Sequence, residues 1–264
     1  MTAFYFVLAF LLSWLPWPLI LLNPASSPMV PFGPLLAAAV VAALTHTSRQ
    51  LYAQLGRWRA PARWYLAAVL VPLAVLGLAA ALAVAAGASP VAAVTARPDW
   101  VQVAAAFGST VVLVGLFEEV GWRGFALPRL QQRMTRLPAA LLLGAVWAVW
   151  HLPLLVSEPT RQRPVVQFLI LVVAQAVFLS RLYNASTAGL PLVILSHAVI
   201  DTSAQFVLPL FAGSGYQLVW WALAGLWTVV AGLGEFLPSE RFRAHPGPVL
   251  QRKGVPSPAR EVGP

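Results

Sequence analysis

Cysteine is absent from all 264 residues, which excludes disulfides and thiolate metal sites and leaves His, Asp and Glu to carry any metal or acid-base chemistry. Charge is scarce as well. Charged residues make up 9% of the chain, about a third of the roughly 25% usual in a soluble globular domain, while 59% are hydrophobic. With only eight acids and four histidines, every ionisable group inside an apolar run stands out. No period of about 20 to 50 residues recurs, which excludes a repeat architecture.

What is present is a series of apolar runs near 3–22, 35–48, 64–87, 101–117, 138–156, 165–183, 188–208 and 216–236. Most reach the roughly 17 to 25 residues that a spanning helix needs. They predict an all-α fold, a polytopic transmembrane bundle of about eight helices, with the second span the shortest. The first run has no Lys or Arg ahead of it and exceeds the roughly 7 to 15 residues of a signal core, so it is expected to be a retained helix. Pro and Gly punctuate the connections, as in "NPASSPMVPFGP", "GASPVAAVTARPDW" and "SEPTRQRP". One helical membrane domain is expected over 1–237, with its motif-bearing core at about 100–210. A basic cytoplasmic tail rich in Pro, Gly and Arg, expected to be disordered, follows over 238–264.

The formal net charge of +9 could suggest nucleic acid, but the positive residues follow the loops rather than one face, and no nucleic-acid partner is expected. An N-terminus inside puts fourteen Lys and Arg on the cytoplasmic side: Arg49, Arg57, Arg59 and Arg63, four between Arg123 and Arg136, Arg181, and five in the tail. Only Arg97, Arg161 and Arg163 fall on the other side. This bias predicts eight spans with both termini cytoplasmic in a plasma membrane, with lipid headgroups as partners of the basic loops. The segment 121–138 interleaves apolar and basic residues and is expected to lie along the inner bilayer surface.

Asp99, Glu158, Glu240 and Glu261 sit in loops or tail, and Glu235 reads as an interfacial residue at the end of span eight. Within or at the edge of apolar segments remain Glu118, Glu119, His151, His197 and Asp201. Intramembrane ionisable groups cost at least a few kcal/mol each and mark a polar interior. Glu119 and Arg123 stand four apart and can pair, while Glu118 points about 100° away and can have other partners. His197 and Asp201 share a face, as do Trp147 and His151, after which Pro153 breaks the helix. Two chemistries stay open at this point. The set could hold a divalent metal, zinc being the usual choice for such ligands, or Glu118 could take a proton from water with His151 assisting. Taken singly, each group also has a bland reading: helix-to-helix hydrogen bonds for the histidines, a structural ion pair for Glu119 and Arg123, packing for Trp147 and Trp150, and interface anchoring for Trp14, Trp17 and Trp64.

In order and on separate helices, "EEVGWR", "WAVWH" and "HAVID" resemble the EExxxR, FxxxH and HxxxN/D motifs of the CPBP family of intramembrane proteases, also called the Abi or CAAX-protease family. "PFGPLLAAAV" and "GRWRAPARWYLAAVLVP" extend the likeness to roughly 30–210. The resemblance implies Glu118 as the carboxylate that activates water, Glu119 and Arg123 as its supports, and His151 as sharing in water activation. It implies His197 and Asp201 as oxyanion stabilisers or, if a metal is used, as ligands with Glu118 and His151. Both a metalloprotease and a metal-free glutamate mechanism have been argued for the family. Trp147 departs from the family's Phe, from which a packing change is expected. Asp201 stands where eukaryotic CAAX enzymes carry Asn; a carboxylate is the better metal ligand, which leans toward the metal account.

The expected function is an integral-membrane endopeptidase that cuts a membrane-associated peptide or protein near the cytoplasmic face, in a cavity among spans four, five and seven. A proton-coupled transporter and a non-catalytic, immunity-type partner are the rivals. Arg outnumbers Lys sixteen to one, and with the rich Ala and Pro usage this hints at a GC-rich bacterial source. Prenylated CAAX substrates are not expected there, and a peptide, pheromone or bacteriocin precursor is equally plausible.

Overall fold

The computed structural model describes residues 1–21, 23, 27–91, 99–157, 163–186 and 188–236. The tail expected from 238 onward, and Arg97, Glu158 and Arg161, lie outside them. The apolar runs fold as eight principal helices: α1 Thr2–Trp14, α2 Gly33–Leu44, α3 Ala62–Ala85, α4 Trp100–Gln131, α5 Arg136–Trp150, α6 Val165–Ala185, α7 Gly189–Val207 and α8 Gly213–Phe236. Among the described residues there is no strand.

Six of the eight are long and apolar enough to cross a membrane, α1 when taken through to Leu19. The other two, α2 and α5, are apolar helices of 12 and 15 residues. At about 1.5 Å per residue they fall short of a bilayer core of about 30 Å. The expectation that the second span is the shortest is met, and α5 is short for the reason its sequence offers. Pro153 cannot donate to Val149, so the helix stops at Trp150 and a separate turn, Leu152–Ser157, follows. The Trp150 carbonyl freed by that break accepts a hydrogen bond from Trp14 Nε1 at 2.9 Å.

Burial is greatest in α6 and α7, where 61% of each apolar stretch is enclosed, against 17–33% for α1, α3 and α8. Thus α6 packs between α5 and α8, and α7 packs on α3 and on α4. A small residue lets the backbones approach at Gly33 of α2, where a Cβ would meet the Ala9 carbonyl of α1 at 2.5 Å. A hydrogen bond of 2.8 Å between Thr110 and Thr202 ties α4 to α7.

Helix α4 begins under an Asp99 cap, whose carboxylate accepts from the Val101 N–H at 3.1 Å. Its middle is not regular. Val111–Leu116 and Val120–Ala126 are π-helical, and between them stands the single turn Phe117–Glu119. Such wide turns inside α-helices occur often at functional sites. They lie where neighbours come too close for a side chain. A Cβ at Gly115 would meet Ile194 Cγ2 at 2.9 Å, and one at Gly121 would meet the Pro34 backbone at 2.5 Å.

Two expectations are corrected here. Every residue of Val120–Ala126 is buried within the bundle, so the first third of the segment 121–138 does not lie along a membrane surface. Its arginine is matched in three dimensions by an acid, which the amphipathic pattern alone cannot reveal. Glu118 is also not at the end of its helix, which runs on for 13 residues to Gln131, or about 20 Å.

Candidate active site

Glu118 and Glu119 leave the single turn between the two π-helical stretches in different directions, as neighbouring helical positions must. Glu119 is fully buried. Its Oε1 accepts from Arg123 Nη1 at 2.6 Å and from His197 Nδ1 at 2.7 Å. A carboxylate here is the acceptor, so His197 Nδ1 carries the donated proton and the ring presents Nε2 toward Asp201, whose Oδ1 is 3.9 Å away. The Arg123 guanidinium is likewise fully buried and stacks 4.5 Å from the centre of the Trp147 ring.

Glu118 takes a separate partner. Trp147 Nε1 donates to its Oε2 at 2.8 Å. On the same helix, His151 Nδ1 donates to the Trp147 carbonyl at 2.8 Å, which fixes the orientation of the ring. Trp150 and Phe168 hold the faces of His151 at ring separations of 4.9 and 5.3 Å, both edge-on. Trp147 therefore joins three parts of the cluster: it donates to Glu118, its carbonyl orients His151, and its ring lies against Arg123 and, at 5.2 Å, His197.

All six sequence-predicted residues thus meet in one region. Glu118, Glu119, Arg123 and His197 are buried, His151 is partly buried, and the Asp201 side chain is 38% exposed at the edge. Trp147, expected as packing, is the residue whose role sequence reasoning missed. The signal was present in its place in the motif, since tryptophan brings an N–H that phenylalanine lacks.

Glu118, Trp147, His151, His197 and Asp201 line a cavity of about 1100 Å³. It was expected among spans four, five and seven; α3, α6 and α8 contribute to it as well, through residues such as Leu76, Phe168 and Trp220. Its position along the bundle is defined by the elements that line it. The walls come from the first halves of α6 and α8, the last half of α7 and the end of α5, which is the end of the bundle away from the arginine-bearing loops.

A divalent ion was the other option for these residues. Among the described residues, no three His, Asp or Glu side chains converge on one point as a metal requires. Glu119 is committed to Arg123 and His197, and one oxygen of Glu118 to Trp147. The arrangement does not fit the expected four-ligand site.

Residues 100–203 match the family model described as Type II CAAX prenyl endopeptidase Rce1-like. A curated relative, the CAAX prenyl protease 2 of Methanococcus maripaludis, is 25% identical over 105 residues, which cover 37% of this chain. The match spans 39% of that relative's own length. The matched interval runs from the start of α4 into α7 and contains Glu118, Glu119, Arg123, His151, His197 and Asp201. The segment that builds the cluster is therefore the part of the chain that is similar to the type II CAAX prenyl endopeptidases.

Proposed function

We propose that this chain is an integral-membrane endopeptidase that hydrolyses a peptide bond in a membrane-associated peptide or protein, with Glu118 activating the water. The observation that carries the reading is the position of Glu118 on the cavity wall, one oxygen held by Trp147 and His151 and His197 beside it. Held in this way, the carboxylate keeps its other oxygen for a water molecule in the cavity.

Glu118 takes a proton as the water oxygen bonds to the scissile carbonyl carbon, and His151 Nε2 helps to orient that water. The tetrahedral oxyanion is met by His197 in its doubly protonated form, whose Nδ1–H is anchored on Glu119 and whose Nε2–H, on the edge beside Asp201, donates to it. Glu118 then returns its proton to the amine nitrogen as the carbon–nitrogen bond breaks. Glu119 and Arg123 hold the acids and His197 in register rather than touching substrate. A relay of protons across the bilayer is less well supported. The ionisable groups form one cluster, and the remaining acid with a described side chain, Asp99, caps a helix.

The test compares the membrane peptidome of cells making the wild-type protein with that of cells making Glu118→Gln or His151→Ala. The reading expects at least one fragment present with the wild type and lost with both variants; identical fragment sets would contradict it. Cleavage of that substrate should also survive exhaustive chelation, and loss that zinc restores would return the metal account.

A further inference from the structure

The two ends of the bundle differ in both charge and access. Of the Lys and Arg residues that the structure describes, Arg123 is buried in the cluster, and Arg49, Arg57, Arg59, Arg63, Arg129, Arg133, Arg136 and Arg181 lie toward the end away from the cavity. Among the described residues, the cavity end carries only Arg163. Short loops rich in Lys and Arg remain on the cytoplasmic side. The cavity end is then the non-cytoplasmic one.

Access follows the same division. Polar side chains line the outer part of the cavity, among them Ser203, Gln205, Tyr216 and Gln217, and both glutamines are exposed. Toward the arginine-bearing end the cluster is backed by Trp122, Phe125, Leu127, Leu190 and Leu192, each 0–1% exposed. Water and substrate have a wettable route on one side and a packed apolar layer on the other.

We infer that the cluster is served from the non-cytoplasmic side, so that its substrate is a peptide already exported or seated in the outer leaflet. The reaction class that supplies this substrate is translocation across, or insertion into, the membrane, and cleavage comes after it. The chemistry rests on the endopeptidase reading above, but the sidedness does not.

The natural absence of cysteine makes the test direct. Single cysteines are placed by Gln205→Cys and Gln217→Cys at the mouth and by Arg57→Cys at the opposite end, and a membrane-impermeant sulfonated maleimide is applied to intact cells and to sealed inverted vesicles. The mouth cysteines are expected to label in intact cells and not in inverted vesicles, and Arg57→Cys the reverse. Mouth cysteines that label only in inverted vesicles, or only after detergent, would overturn the inference. Repeating the labelling in the Glu118→Gln background reads sidedness without turnover, so failure of the inference and failure of the endopeptidase reading are told apart.

Discussion

The arginine-bearing end of the bundle is closed by directed bonds, whereas the opposite end is hollow. At the closed end, Gln54 donates to the Gly124 carbonyl at 3.0 Å and accepts from the Tyr183 hydroxyl at 2.6 Å, and Arg129 donates to Thr47 at 3.2 Å while stacking on Phe125. At the hollow end, Glu118, His151, His197 and Asp201 face a cavity of about 1100 Å³. The contrast assigns different tasks to residues of similar polarity. One end spends its polar groups on tying helices together, and the other leaves them facing space in which a reaction can occur.

Substitutions at the two ends should therefore separate activity from stability. The largest effect is expected at Glu118. Glu118→Gln keeps the shape and removes the base, so the cleavage rate should fall about 10²- to 10⁴-fold with little change in thermal midpoint, measured on purified protein in lipid nanodiscs. Next comes Arg123→Ala, which leaves Glu119 and its neighbours buried without their cation. It should destabilise the fold by about 3 to 5 kcal/mol in a detergent-denaturation series, and activity should fail with the fold. Trp147→Phe restores the aromatic that the family's motif carries but removes the N–H held by Glu118. Leaving that acceptor without its donor is worth about 1 to 3 kcal/mol, which predicts a roughly 5- to 150-fold loss in kcat, with KM and the thermal midpoint changing less. The smallest effect is expected at the closed end. Gln54→Ala should lower stability by about 0.5 to 1.5 kcal/mol per lost hydrogen bond, read by the same denaturation series, while kcat stays near wild type. A Gln54→Ala variant that lost cleavage but not stability would break the comparison.

The number and order of helices were legible because run length alone decides whether an apolar segment can cross a bilayer, and the eight runs predicted from sequence became eight helices. The candidate site was legible in its membership. The spacing of Glu119 to Arg123 and of His197 to Asp201 is local, and both pairs lie together as helical geometry requires. Three features were not legible, each because it is set by contacts between helices. The π-helical turns around Phe117–Glu119 accompany the close approaches of Gly115 to Ile194 and Gly121 to Pro34, which are distant in sequence. The burial of Arg123 mimics an amphipathic surface pattern until Glu119 and Trp147 are seen beside it. The location of the cavity depends on half-helices from separate parts of the chain, which spacing within single spans cannot reveal.

The central claim is that Glu118 is the base at the floor of this cavity, and one measurement tests it most directly. A substrate identified from the difference in membrane peptidomes is incubated with purified wild-type and Glu118→Gln protein in nanodiscs, and single-turnover cleavage rates are compared. The account predicts a fall of at least about 100-fold with an unchanged thermal midpoint. Equal rates for the two folded proteins would contradict it.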